Sequence, residues 1–284
     1  MTILSNCHTH TEFCDGKSSA EEMVQSAIAH GFRSIGFTSH AAQHFDLPYA
    51  IAPEKENAYL EKLAKLRQDY GDRIRVWSGI ERDFFSCAEP GRYDYYIASV
   101  HYIPYGGRFY AVDGDPEDLQ QLLSTAFHGD GLALVRAYYS LVTAYAESYH
   151  PPVIGHFDLI KKNNRQLGLF DPASEAYQAI VHDALEIIAG CGCLLEVNTG
   201  GMARGYVSEP YPSGEILRFW HALGGGVIPS SDCHDAAYIQ YGFDRIPEYL
   251  RQAGFENVTV LGCGETLFES YPLSASQIPR PKSK

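Results

Sequence analysis

Short apolar segments that end at a histidine or an acidic residue recur along this chain, and they constrain its fold more than any other feature. One such segment leads to His40, a second to Glu81 and a third to His101. Residues 54–70, between the segment that leads to His40 and the segment that leads to Glu81, have the apolar periodicity of an amphipathic helix. Strands that alternate with helices in this way, about seven or eight times here, predict parallel βα units.

Parallel βα units can form an open, doubly wound sheet or close into a barrel, and the polar strand ends distinguish the two. In a barrel the carboxyl ends of all strands surround one mouth, where active sites lie. In an open sheet the same side chains would be spread along an edge and could not share one small site. We therefore predict an α/β fold of the barrel type.

The opening motif Cys-His-Thr-His indicates the chemistry of that mouth. His8 and His10 are two residues apart at the end of a predicted first strand, so both imidazoles point the same way. Asp15 follows in the loop that leaves this strand, and Gly16 allows a tight turn. Two histidines and a carboxylate at this spacing predict half of a metal site.

The same residue types recur at the other predicted strand ends. Six of the twelve histidines and three carboxylates occupy such positions, which predicts a multinuclear metal site. A ligand set rich in nitrogen suits zinc, iron or manganese better than magnesium or calcium. The candidate ligands are His8, His10, Asp15, His40, Glu81, His101, His156, Asp232 and His234.

Composition excludes several classes of protein. With 284 residues and no obvious linker, the chain predicts a single barrel domain over residues 1–284, with a frayed tail at 279–284. The net charge of -13 disfavours nucleic acid as a partner. No apolar run is long enough to span a membrane, and no signal peptide is visible. Seven scattered cysteines without a C-x-x-C pair favour a reducing cytoplasm.

An ordered set of motifs resembles the polymerase-and-histidinol-phosphatase (PHP) superfamily. The motifs are Cys-His-Thr-His-Thr at 7–11, Phe-Thr-Ser-His at 37–40, Gly-Ile-Glu at 79–81, Ser-Val-His at 99–101, Gly-His-Phe-Asp at 155–158 and Ser-Asp-Cys-His at 231–234. Two further runs, one with Arg165 and one with Arg204, resemble its histidinol-phosphate phosphatase branch. The resemblance implies a distorted (β/α)7 TIM-like barrel with a trinuclear metal site at the carboxyl ends of the strands.

The resemblance also implies which residues hold each of three divalent transition-metal ions. The first ion would bind to His8, His10, Glu81 and Asp232. Glu81 would bridge to the second ion, which His101 and His156 complete. The third would bind to Asp15, His40 and His234. The superfamily often has Asp where this chain has Ser39, so one carboxylate beside the third ion is lost.

The implied activity is hydrolysis of L-histidinol phosphate to L-histidinol and phosphate, in histidine biosynthesis, by attack of a metal-bridging hydroxide. Arg165 and Arg204 are candidates for gripping the phosphate, because a planar guanidinium can bind two of its oxygens. Asn198 is a further candidate for contacting substrate. Asp232 and His44 are candidates for assisting the leaving group.

Two other functions compete with this one. The chain could be a related phosphoesterase acting on nucleotides or other small phosphate esters, although its acidic surface offers no basic track for a nucleic acid. It could also be a metal-binding structural or regulatory module without activity. The complete ligand set argues against such a module, and the expected partner is therefore a small-molecule phosphate monoester.

Overall fold

The computed structural model describes residues 2–46 and 48–275, and the predicted frayed tail at 279–284 lies outside them. Within these residues the strands form one seven-stranded sheet and two hairpins. The strands are β1 (Ser5–Asn6), β2 (Ser34–Phe37), β3 (Arg75–Asp83), β4 (Tyr95–Ser99), β5 (Tyr102–Tyr105), β6 (Arg108–Ala111), β7 (Val153–Ile154), β8 (Leu194–Asn198), β9 (Gly226–Ser230), β10 (Asn257–Leu261) and β11 (Phe268–Pro272).

The large sheet is parallel throughout and nearly closes on itself. Its strand order is β1-β2-β3-β4-β7-β8-β9, and each neighbouring pair is parallel. A parallel bridge between Thr9 and Cys233 joins the chain just beyond β1 to the chain just beyond β9, and the His10 backbone N–H donates to the Cys233 carbonyl at 3.0 Å. The predicted distorted seven-stranded barrel is therefore confirmed.

Helices connect most of the barrel strands and pack against the outside of the sheet. The helices are α1 (Ala20–Ala29), α2 (Glu56–Asp69), α3 (Pro116–Ala126), α4 (Gly131–Tyr149), α5 (Asn164–Leu167), α6 (Glu175–Ala189), α7 (Gly200–Ala203), α8 (Gly214–Ala222) and α9 (Ile246–Gln252). None of the helices in the described residues is long and apolar enough to cross a bilayer.

The amino-terminal end of the barrel is apolar and is covered by the β10–β11 hairpin. The Leu261 carbonyl at the end of β10 accepts a hydrogen bond from Ser34 Oγ at 2.6 Å, and Trp77 Nε1 donates to the Gly262 carbonyl at 2.8 Å. Trp77, Tyr95 and Leu261 belong to one buried apolar cluster. Because this end is sealed, polar chemistry is confined to the opposite, carboxyl end.

Gly36 on β2 shows how tightly the barrel interior is packed. A Cβ atom at this position would lie 1.9 Å from Tyr95 Oη and 2.7 Å from a methyl group of Leu261. No side chain can occupy that space without displacing the neighbours. The Tyr95 hydroxyl itself donates to the Cys7 carbonyl, one residue before the first predicted metal ligand.

Candidate metal centre

The structure brings all nine predicted ligands together at the carboxyl mouth of the barrel. Glu81 on β3 lies at their centre and is 2% exposed. Its Oε2 lies 2.7 Å from His40 Nδ1, and its Oε1 lies 2.9 Å from His156 Nε2 and 3.3 Å from His101 Nε2. Burial alone would raise the pKa of Glu81, but the imidazoles of His40 and His8 hold it well below its usual value.

Asp232 forms a second group with the histidines of the opening motif. The Nε2 atoms of His8 and His10 are 3.0 Å apart, and His10 Nε2 lies 3.0 Å from Asp232 Oδ1. The φ angle of Asp232 is 46°, a left-handed conformation that is uncommon for a residue with a side chain. Burial would raise the pKa of Asp232, but Arg204 and His8 hold it well below its usual value.

Asp15 forms the third group, at the outer edge of the mouth. Its Oδ1 lies 3.3 Å from His234 Nε2, 3.7 Å from His40 Nε2 and 3.9 Å from His10 Nδ1. His40 therefore faces two of the three groups, with Nδ1 toward Glu81 and Nε2 toward Asp15.

The chemistry of these side chains fits divalent metal ions. Three sets of them offer ligand atoms that all lie within 4.8 Å of one another. Burial and the neighbouring His234 and His40 lower the pKa of His10 well below its usual value, so its ring is neutral, as a metal ligand must be. The three sets are His8, His10 and Asp232; His40, Glu81 and His101; and His10, Asp15, His40 and His234.

A cavity of about 680 Å³ opens above the ligands, and its wall supplies positive charge. Arg204 lines it and is fixed by Asp232, since Nη1 donates to the Asp232 carbonyl at 2.9 Å and Nη2 to Oδ2 at 3.0 Å. Lys162 also lines it, and its Nζ donates to the Asp113 carbonyl at 2.6 Å. An anion that enters the cavity meets these two cations and Lys17, which also lines it.

The other residues predicted to act on substrate lie elsewhere. Among the described residues, those that line the cavity do not include Arg165, His44 or Asn198. Arg165 is exposed on α5 and lines a neighbouring depression together with Lys162. His44 is exposed and packs edge-on against two phenylalanines. Asn198 is buried, and its Nδ2 lies 3.3 Å from Asp232 Oδ2, so it contacts a ligand instead of the open cavity.

Sequence reasoning missed three residues beside the ligands. Lys162 is one of them, and the other two are the carboxylates that contact ligand imidazoles from behind. Glu196 Oε1 lies 2.6 Å from His8 Nδ1, and Asp83 Oδ2 lies 3.3 Å from His101 Nδ1. A usable signal existed for Glu196, because it is a charged residue inside an otherwise apolar predicted strand.

Comparison with known proteins agrees with this geometry. The family model named PHP domain matches residues 6–200 of the chain. The chain belongs to the PHP domain family. A PHP relative from Deinococcus radiodurans, named "Probable histidinol-phosphatase", is 30% identical over 270 residues, which cover 91% of this chain and 97% of the relative.

Two solved structures share the fold of this PHP chain. The HisK protein of Listeria monocytogenes has a TM-score of 0.74 and 23% identity, over 84% of this chain and 98% of that one. The histidinol phosphate phosphatase of Lactococcus lactis, complexed with zinc, L-histidinol and phosphate, has a TM-score of 0.64 and 19% identity, over 92% of this chain and 98% of that one.

Proposed function

We propose that this PHP protein is a metal-dependent phosphatase that hydrolyses L-histidinol phosphate to L-histidinol and phosphate. The observation that carries the proposal is the gathering of six imidazoles and two further carboxylates around Glu81, below a cavity lined by three cationic side chains. The Lactococcus lactis structure, which contains zinc, L-histidinol and phosphate in the same fold, supports this substrate. The curated relative from Deinococcus radiodurans carries the corresponding name.

The ligand groups would hold three divalent ions, of zinc, iron or manganese. Three such ions carry +6, and Asp15, Glu81 and Asp232 contribute -3, so with neutral imidazoles the ions and their nine ligands together retain +3. That charge attracts a phosphate dianion despite the net charge of -13 on the whole chain. When bound, the ions would supply an activated water and neutralise charge on the phosphate.

Arg204 and Lys162 would bind the phosphate oxygens. Arg204 is held rigidly by two hydrogen bonds to Asp232, so its guanidinium is oriented before substrate arrives. Lys162 is positioned by Asp113 and by the ring of Tyr206, whose centroid lies 4.6 Å from Nζ. These contacts favour Lys162 over Arg165 as the second cation of the clamp.

Asp232 would hold metal and orient Arg204, and it would not donate a proton to the leaving group. Its lowered pKa keeps it ionised near neutral pH, and its two oxygens face His10 and Arg204. His44, the other candidate for this step, lies outside the lining of the cavity among the described residues.

The direct test is a panel of phosphate monoesters with purified protein and measured metal content. We expect phosphate release from L-histidinol phosphate to exceed that from nucleotides and aryl phosphates, and removal of metal by a chelator to abolish it. Metal-replete protein without activity on any ester would support the non-catalytic module instead. Faster hydrolysis of a nucleotide would assign the chain to the related phosphoesterases.

A further inference from the structure

A buried carboxylate outside the predicted ligand set contacts three parts of the metal centre. Glu196 lies in the middle of β8 and is fully buried. Its Oε1 lies 2.6 Å from His8 Nδ1, and its Oε2 accepts the His156 backbone N–H at 2.7 Å and Asn198 Nδ2 at 3.1 Å. Oε1 therefore contacts the side chain of one predicted ligand. Oε2 contacts the backbone of a second ligand and the amide of Asn198, which in turn contacts a third.

Such a carboxylate is costly to bury, which argues for a specific role. An ionised group without compensation in the interior loses several kcal/mol of hydration. Here the partners compensate, and they come from two other parts of the barrel, the ends of β1 and β7. An apolar residue would fill the same position on β8 without that cost, so packing alone does not account for Glu196.

Imidazole chemistry shows what the contact with His8 achieves. A neutral imidazole carries one proton, and the nitrogen that binds metal must be the one without it. A carboxylate at Nδ1 holds the proton there and leaves Nε2 free. His8 Nε2 is the atom that points into the site, 3.4 Å from Glu81 Oε2 and 3.7 Å from Asp232 Oδ1.

We propose that Glu196 is the positioning residue of the first metal ion: it fixes the tautomer and ring orientation of His8. Through its second oxygen it also fixes the backbone of His156 and the amide of Asn198, which contacts Asp232 Oδ2 at 3.3 Å. Loss of Glu196 therefore weakens the group of His8, His10 and Asp232 more than the group around Asp15, which Glu196 does not contact. The inference rests on the proposed metal-dependent function.

The chain offers a matched control for the loss of a carboxylate that binds a backbone amide. Asp94 precedes β4 at the opposite end of the barrel, and its Oδ2 accepts the Ser78 backbone N–H at 2.8 Å. Glu196→Gln and Asp94→Asn each remove one charge and keep the size of the side chain. Glu196→Gln leaves one acceptor oxygen where His8 Nδ1 and the His156 amide need two, and only this variant removes a negative charge from beside an imidazole.

The experiment strips metal from the wild-type protein and each variant, then titrates zinc in competition with a chromophoric chelator. For Glu196→Gln we expect one ion to bind 10- to 100-fold more weakly, the usual effect of losing a carboxylate behind a ligand histidine. The visible spectrum of the cobalt-loaded variant should also change, because ligand geometry at that ion changes. Asp94→Asn should match wild type in both measurements.

The outcome that overturns the inference is a Glu196→Gln protein with a native circular dichroism spectrum, wild-type zinc affinities within twofold and an unchanged cobalt spectrum. Should Glu196→Gln not fold, Glu196→Asp decides by the same criteria, because it keeps the charge but withdraws the oxygen from His8. Wild-type protein that binds zinc without hydrolysing any ester would refute the proposed function and leave this inference standing. Wild-type protein that binds no metal would refute both.

Discussion

Metal loading near pH 7 should release protons, because the pKa values of three ligand imidazoles are raised in the metal-free protein. Burial alone would lower the pKa of His8 and of His101, but facing carboxylates, Glu81 among them, raise both pKa values well above 6.5. Burial would also lower the pKa of His234, but the neighbouring Asp15 carboxylate outweighs burial and raises this pKa. Each ring must lose a proton before its free nitrogen can bind an ion.

The remaining ligands with a shifted pKa add nothing to this proton release. The pKa values of Glu81, Asp15 and Asp232 are lowered despite burial, so these carboxylates are already ionised at pH 7. The pKa of His10 is lowered by burial and by neighbouring imidazoles, so its ring is already neutral. Overall metal affinity should therefore rise with pH from neutrality until the three raised pKa values have been passed.

Protons released can be counted by calorimetric titration of metal-free protein with zinc at pH 7 in buffers of different ionisation enthalpy. The slope of observed heat against ionisation enthalpy gives the number per chain, which we expect to be greater than one at full loading. His101→Gln should lower this number, whereas His30→Gln, a change at an exposed position outside the site, should leave it unchanged. Release of fewer than one proton would refute the assigned protonation states.

Four further substitutions test residues in and around the cavity. Lys162→Ala should lower kcat/KM for the phosphate ester about 10- to 100-fold by removing a charge-assisted hydrogen bond, whereas Arg165→Ala should stay within twofold; equal effects in steady-state assays would contradict the clamp. Asp46→Asn should raise KM for L-histidinol phosphate about fivefold without affecting an aryl phosphate that lacks an ammonium group, because Asp46 lines the cavity and can pair with the substrate ammonium. Ser39→Asp buries a carboxylate and should lower the Tm by about 5 °C, with scanning calorimetry as the measurement.

The barrel and the gathering of the ligands could be predicted from the sequence because both follow from strand geometry. A parallel strand that ends at a buried position delivers its last side chains to the mouth, whatever the connecting helix does. His40, Glu81 and His101 were recognisable from this rule alone. A two-residue strand such as Ser5–Asn6 carries little periodicity, and the His-x-His motif identified it instead.

Residues on loops and short helices could not be placed in this way. Lys162 follows a 3₁₀ turn, Leu159–Lys161, whereas Arg165 lies on the four-residue helix α5, and sequence periodicity does not resolve the junction between two such short elements. Arg165 was the predicted residue because a guanidinium can bind two phosphate oxygens, whereas the structure places Lys162 at the cavity wall. The chemistry of phosphate binding therefore predicted a cationic residue in this segment, but not which position in the segment faces the cavity.

Glu196 shows a different limit, since its position on β8 was predictable but its role was not. A strand pattern indicates that a side chain points into the barrel, and an inward carboxylate among metal ligands suggests one more ligand. The structure instead places its Oε1 behind His8, on the nitrogen that does not face the other ligands. Whether a buried carboxylate binds an ion or a ligand depends on distances of a few ångströms across the barrel, which are set by strand stagger and side-chain length together. Because Glu196 contacts a ligand imidazole, Glu196→Gln is expected to weaken the binding of one ion without abolishing the metal centre.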